Sequence, residues 1–460
     1  MKTMNRRKFI NKSGTVAAFS IVPRFVLGGS GFTAPSDLLN IAGIGIGGVG
    51  QHFIKSCEDE GQKIIALCDV DHSFSKKVFE KHPEASTYYD YREMLEEEKD
   101  IDAVVIGTPD HSHAVIAMHA IRSGKNILCV KPLTRTIHEA RILTEAARKK
   151  NIATQVTASS RLDERVIRTT EIIRAGIIGD VTEVHCWTDR PWWPQGMTRP
   201  AGEDKIPDTL KWDLWLGPAQ ERPFKKSWGA DSLVMQQLKA RVLVYDAVYH
   251  PFNFSGWWDF GTGAMGDMGC HFFNRIFPVL NLSHPISVHA SSTTVFSETP
   301  PLAAIVTYEF PGRGSMPPLK LVWYEGGIMP SRPAELPDDE DMPANGTLYI
   351  GDRGIILNDE VIPEAKMKEA ESVPKTLQRP QYSDGDIVVQ EWITACKGGQ
   401  PASCNFDVGG ELTEIALLGN IAMRTGKKIY WDPQNLKITN NEEANNYIRE
   451  SYRSGWSLSE

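Results

Sequence analysis

The 460 residues predict an α/β fold: a doubly wound parallel sheet first, then an α+β region built on a large, mostly antiparallel open sheet. Three observations carry this expectation. From Leu38 onward, short apolar runs alternate with helical stretches, the rhythm of βαβ units. After about residue 160 that rhythm gives way to longer β-like stretches. The first strand also runs directly into a glycine-rich turn.

Taken in order, strands are expected over 39–44, 64–68, 103–106, 126–130 and 152–156. Helices are expected over 53–60, 74–81, 91–98, 115–123 and 137–150. A helix over 164–175 then leads into β-like stretches at 181–189, 286–292, 303–310, 320–324 and 347–350. The acidic, Pro-rich stretch 330–345 reads as a loop, and 387–396 and 409–424 as helices. Residues 1–34 are set apart as an address segment, 35–158 as the first domain and 159–460 as the second.

Composition narrows the function. Hydrophobic residues at 41% and charged residues at 23% exclude a disordered chain, collagen or a coiled coil. The net charge of −8 argues against nucleic acid, which needs a basic surface. Residues 1–34 hold six cations (Lys2, Arg6, Arg7, Lys8, Lys12 and Arg24) and no acid, so the rest of the chain stands at −14. A basic start, the short apolar run 16–22 and small residues after it form the pattern of an export signal. Arg6-Arg7 followed by Lys8-Phe9-Ile10 resembles the twin-arginine type, which implies the twin-arginine machinery as a partner and a periplasmic protein. The seven cysteines are scattered without C-x-x-C spacing, so neither a zinc knuckle nor a redox dithiol is expected.

The turn after the first strand reads Gly45-Ile46-Gly47-Gly48-Val49-Gly50, a G-x-G-x-x-G fingerprint between strand and helix. Gly45 permits the tight turn, Gly47 a close approach of backbone to a pyrophosphate, and Gly50 tight strand–helix packing. With Gly48 and Val49 they form the expected Rossmann cofactor loop, at a helix N-terminus that favours phosphate. Asp69 ends the second strand, where a carboxylate accepts from ribose hydroxyls and repels a 2′-phosphate. NAD is therefore expected over NADP.

Further motifs close later strands: Gly107-Thr108-Pro109 with His111 and His113 beyond, then Lys131-Pro132-Leu133-Thr134, and much later Gly266-Asp267-Met268-Gly269-Cys270-His271. Together with the fingerprint, this order resembles the Gfo/Idh/MocA oxidoreductases, which act on sugars, inositols and related polyols. The resemblance implies a Rossmann domain followed by a domain whose open sheet also forms a homodimer or homotetramer interface. It implies Lys131 between nicotinamide and the reacting hydroxyl, Asp267 and His271 as its partners, and Thr108, Pro109 and His113 around the nicotinamide. Two positions depart from the family pattern: Val130 stands where a Glu precedes the lysine, and Asn274 where an acid follows the histidine.

The chemistry supports the same residues independently. Oxidising a carbinol needs a base for the hydroxyl proton, and histidine is the usual one. Asp267 and His271 lie four apart and would share a helix face. A lysine beside a cationic nicotinamide can polarise the oxygen. No ligand spacing supports a metal among His111, His113 and His271.

The chain has 12 Trp, and flat aromatic faces suit sugar rings. Trp257 and Trp258, with Tyr249, His250 and Arg161, are the expected substrate contacts. Outside the cytoplasm no NAD pool is expected, so the cofactor would be recycled in its own site. The reaction would then be an oxidoreduction with two substrates, or a redox-neutral glycoside hydrolysis through transient oxidation of a C3 hydroxyl. The elimination in the second case needs an extra base, for which Tyr249 or His250 is the candidate. A non-catalytic sugar-binding relative is the third reading, disfavoured by the intact lysine, aspartate and histidine.

Overall fold

The computed structural model describes residues 37–229, 236, 245–380, 382 and 385–458. The expected export signal lies outside the described residues. No described helix is long and apolar enough to cross a membrane. The fold below is that of Asn40–Glu460.

The first sheet comprises β1 (Asn40–Ile44), β2 (Lys63–Cys68), β3 (Ser86–Tyr88), β4 (Ala103–Ile106), β5 (Asn126–Cys129) and β6 (Thr154–Val156). All five pairings are parallel, in the order β3-β2-β1-β4-β5-β6. This is the doubly wound Rossmann order, in which the direction of winding reverses between β1 and β4 and a crevice opens at their carboxyl ends. Every residue of β4 is buried, and β1 after its first residue likewise. Each fully buried Val or Ile contributes about 1.5–3 kcal/mol, which is why these runs are continuous rather than alternating.

The intervening helices are α1 (Gly50–Asp59), α2 (Lys76–Lys81), α3 (Tyr91–Glu97), α4 (Asp110–Arg122) and α5 (Ile137–Lys150). α5 starts on a capping box, Thr136 with Glu139, and ends on left-handed Asn151.

After α6 (Glu164–Arg174) comes the second sheet. It holds β7 (Val181–Trp187), β8 (Ser287–Ser292), β9 (Ala304–Phe310), β10 (Leu319–Glu325), β11 (Gly346–Gly351), β12 (Ile355–Leu357), β13 (Glu360–Ile362), β14 (Ile429–Asp432) and β15 (Lys437–Ile438). The order is β13-β12-β11-β7-β10-β9-β8-β14-β15, antiparallel except for β7 beside β10. Burial alternates along β9, the mark of a sheet with one covered face. The cover is α8 (Gly263–Leu280) and α11 (Phe406–Thr425). Between β7 and α8 lies a long strap carrying the short α7 (Trp212–Leu216). Helices α9 (Glu364–Glu371) and α10 (Ile387–Cys396) complete the set.

The glycine-rich motif that carries Asp267 and His271 is the start of α8, from Gly263 onward. A Cβ at Gly266 would stand 2.0 Å from the Thr262 hydroxyl, so that glycine serves helix packing rather than a turn. β3 was not anticipated, because its three residues are at most partly buried and carry no apolar run. All seven cysteines are free, six of them buried.

Candidate active site

The carboxyl ends of β1 and β4 meet α1 with almost no space between them. Gly45 holds a positive φ of 75°, and a Cβ at Gly50 would lie 2.2 Å from the Gly45 carbonyl oxygen. Above this contact the loop Gly45–Val49 opens into a cleft of about 750 Å³, a normal size for a bound organic ligand. Beyond Gly48 lies open space.

Asp69 organises the loop. Its Oδ2 accepts from the N–H groups of Ile46 (2.9 Å) and Gly47 (3.0 Å), and Oδ1 from that of Asp71 (2.9 Å). A carboxylate has about four acceptor sites, so capacity remains for a ribose hydroxyl. The Thr108 hydroxyl, on the floor of the cleft, is buried without a partner in the protein. An orphaned buried hydroxyl is unusual and is what a bound cofactor would satisfy. The glycine cradle, Asp69 and this hydroxyl fit NAD, with Pro109 and Val130 as apolar walls.

The same cleft continues to Lys131, Asp267 and His271. Lys131 follows β5 and is ion-paired with Asp267 Oδ1 on α8. His271 lies one turn further along α8, its Nδ1 3.3 Å from the Ser159 hydroxyl. The expected trio is therefore assembled, Lys131 from just past the end of β5 and Asp267 and His271 from successive turns of α8. One property differs from expectation. Burial and the Lys131 ammonium push His271 down to about 3, so its imidazole is neutral at any working pH and is not a base tuned near 7.

The group tuned near 7 is Asp110, which the sequence reading passed over. It is the first residue of α4 and lines the cleft. Burial lifts it to about 7, opposed by a 2.7 Å hydrogen bond from the Thr262 hydroxyl. The only signal for it in sequence was an acid at a helix start after Thr108-Pro109, which usually serves the helix dipole.

Other expected contacts lie elsewhere. Gly50 packs beneath the loop rather than in the cleft. His113 is fully buried, bridging the carbonyl oxygens of Pro132 (2.9 Å) and Thr108 (2.7 Å), so it positions the floor from behind. Trp257 is buried in an aromatic cluster with Trp212, Trp215 and Tyr249, and its indole donates to the Val248 carbonyl at 2.8 Å. Trp258 faces a separate small cavity beside Arg135. Tyr249 is only 2% exposed and burial raises its pKa, so it is no base for the cleft. Arg161 donates to Asn274 Oδ1 at 2.6 Å. Of the expected substrate contacts only His250 lines the cleft, where Nε2 pairs with Asp71 at 3.2 Å. The aromatic walls are instead Trp192, Trp193, Trp215 and Trp456, with the Arg190 guanidinium stacked on Trp192. Long-range placement by the fold, not composition, selects which tryptophans line the cleft, and the doubling of Trp257-Trp258 carried no such information. No group of three or more His, Cys, Asp or Glu placed to hold a metal occurs among the described residues.

A parallel Rossmann sheet, a glycine cradle beside an acid-ended β2, and a lysine–aspartate pair in one cleft define a dinucleotide-binding oxidoreductase fold. Residues 39–158 match the GFO_IDH_MocA model, an oxidoreductase family with an NAD-binding Rossmann fold. Over these residues the chain is similar to the Gfo/Idh/MocA oxidoreductases. Glycosyl hydrolase family 109 protein 1 of Shewanella sp. (strain ANA-3) is 27% identical over 207 residues, 39% of this chain and 45% of that protein. Inositol 2-dehydrogenase of Salmonella typhimurium is 28% identical over 146 residues, 31% of this chain and 43% of that protein. The chain thus spans under half the length of the curated relatives it matches. The WlbA dehydrogenase of Bordetella pertussis, solved with NADH and UDP-GlcNAcA, shares the fold at a TM-score of 0.58 and 12% identity, over 86% of this chain and 99% of that one.

Proposed function

We propose that this protein is an NAD-dependent oxidoreductase acting on a hydroxyl of a sugar, glycoside or polyol, with a retained cofactor recycled in the same site. The observation that carries it is the Lys131–Asp267 pair, with His271 one turn on, in the cleft that begins at the glycine cradle. When bound, NAD accepts a hydride from the carbinol carbon and returns it. Gly45–Val49 and Asp69 would hold its pyrophosphate and ribose. The Lys131 ammonium polarises the reacting oxygen, Asp267 fixes that ammonium, and the neutral His271 accepts a hydrogen bond from the hydroxyl and orients it. Trp192 and Trp193 offer flat faces to the sugar ring.

Retention is supported by how the strap grips the loop after β2. Lys211 N–H donates to the Val70 carbonyl (2.8 Å), His72 N–H to Thr209 (3.2 Å), and His250 pairs with Asp71. Export through a twin-arginine route to the periplasm, a substrate-binding second domain over 159–460, and self-association through the second sheet belong to the same proposal.

The second reading, a glycoside hydrolase that oxidises and re-reduces its sugar, is favoured by the glycosyl hydrolase relative. One experiment separates the two. The protein is purified, tested for co-purifying NAD, and incubated with glycosides without added cofactor. The oxidoreductase reading expects a keto-sugar and a reduced cofactor; free sugar with no net NADH favours the hydrolase. Neither product with any glycoside, inositol or sugar would sink both.

A further inference from the structure

We infer that Asp110 is the proton store of this site, taking up the hydroxyl proton through Lys131 when a carbinol is oxidised and returning it on reduction. The inference rests on the proposed oxidoreductase reading, and the geometry is what carries it. The Asp110 carboxyl lines the cleft that holds Lys131, Asp267 and His271. It is fixed there from a different element: Thr262, the residue before α8, donates its hydroxyl to Oδ2 at 2.7 Å. Thr262 is held in turn by Asn420 of α11, whose amide donates to the Thr262 carbonyl at 2.8 Å. Asp110 is 7% exposed, so bulk water does not buffer it freely.

The charges around it are few. Asp267 opposes its ionisation, and the Lys131 ammonium, ion-paired with Asp267, favours it as a nearby charge. On its own helix, His111 has Nε2 2.9 Å from the Trp215 carbonyl oxygen, to which the neutral imidazole donates, and is pushed by burial down to about 4; His113 is lowered likewise. Both are neutral near pH 7. The neighbouring thiols of Cys129 and Cys270 are raised by burial and stay protonated. Asp110 is therefore the group here whose charge changes near pH 7.

The balance closes. Oxidation breaks the C–H and O–H bonds of the carbinol. Bound NAD would supply the acceptor for the hydride and its two electrons, and would lose one positive charge in doing so. The hydroxyl proton passes to the Lys131 amine as that amine gives a proton to Asp110, so one O–H bond breaks, one forms, and Lys131 is unchanged. Asp110 loses its negative charge in the same step, and the closed site keeps its net charge. Charge separation in a low-dielectric cleft is costly, and this arrangement avoids it.

The test uses the purified full chain with its bound cofactor. Infrared difference spectra between pH 6 and pH 8 should show protonated-carboxyl carbonyl absorption with a midpoint near 7, to which Glu325, also lifted to about 7 by burial, contributes, and the Asp110 part should be lost in Asp110→Asn. Single-turnover reduction of the bound cofactor by a sugar should rise with pH through 7 in the wild type. In Asp110→Asn it should lose that dependence and fall at least about 10-fold at pH 8. Thr262→Val, which removes a bond to the ionised form, should move both midpoints upward by about one pH unit. Absence of the absorption in the wild type, or its undiminished survival in Asp110→Asn, overturns the proposal, as does an unchanged pH profile in that variant. A normal band in a protein that no sugar reduces would instead count against the oxidoreductase reading and leave Asp110 as the titrating group.

Discussion

Lys131 and Asp267 meet as an ion pair across 136 positions of sequence, one just past β5 and the other on α8. The pair joins the cofactor sheet to the helix that covers the second sheet. Both side chains remain about one-fifth exposed to the cleft. For a pair so largely buried, desolvation offsets much of the attraction, and its value lies in holding an ammonium where an oxygen would react.

Lys131→Met should accordingly separate activity from fold. kcat/KM should fall by about 10²–10⁴-fold, the usual worth of a positioned proton-transfer group, while bound NAD and the melting temperature change little. A turnover assay beside a thermal melt checks this; wild-type turnover in the variant refutes the assignment.

Asp69 is expected to matter before any cofactor binds, because it caps the N–H groups of Ile46 and Gly47 within the loop itself. Asp69→Ala leaves those donors without their acceptor. Each charge-assisted bond contributes about 1.5–3 kcal/mol, so the variant should unfold at a lower temperature without ligand and lose the melting shift that NAD gives the wild type. If only the NAD shift were lost, the carboxylate would have no part in building the loop.

The contrast between these two sites explains what the sequence made legible. Asp69 could be found because the distance from glycine turn to strand end is fixed by a single βαβ unit. Lys131, Asp267 and His271 rested on their motifs, and the fold then brought them together. What failed was anything decided by burial at long range. Trp257 and Tyr249 share a short polar-aromatic stretch with His250, yet only His250 reaches the cleft, because the strap turns the other two into an aromatic core. Asp110 was missed for the same reason: its neighbour Thr262 lies 152 positions away, and no local pattern marks a carboxylate that packing has desolvated.

His271 and His111 should set the acid side of the stability curve. In the unfolded chain a histidine takes its proton at the ordinary value of 6.5, whereas in the fold these two do so only at about 3 and about 4. Between those values the unfolded state binds more protons, so stability falls as pH drops from 6.5, by at most about 1.4 kcal/mol per pH unit for each. His271→Asn should flatten that slope by about one proton. Urea melts at pH 4.5, 5.5 and 6.5 measure it; parallel slopes in the two proteins would contradict the buried-neutral assignment.

The His250–Asp71 bridge should govern how long NAD stays bound. It fastens the strap to the loop immediately after Asp69, and Asp71 also accepts from the N–H groups of Ser73 and Phe74. Burial alone would raise Asp71, but the bond from His250 and those backbone donors outweigh it and hold the carboxyl below its usual 3.8. A depressed carboxyl stabilises the fold above its ordinary pKa and loses that contribution only as pH falls through the lowered value. Asp71 therefore stays ionised, and able to hold the strap, throughout the neutral range. His250→Ala removes the donor and leaves the backbone bonds in place, at a cost of about 1–2 kcal/mol. NAD should then dissociate faster, by about 5- to 30-fold where that cost falls on the closed strap. Stopped-flow release of the co-purified cofactor gives the rate directly, and equal rates in wild type and variant would mean that the strap does not gate the cofactor.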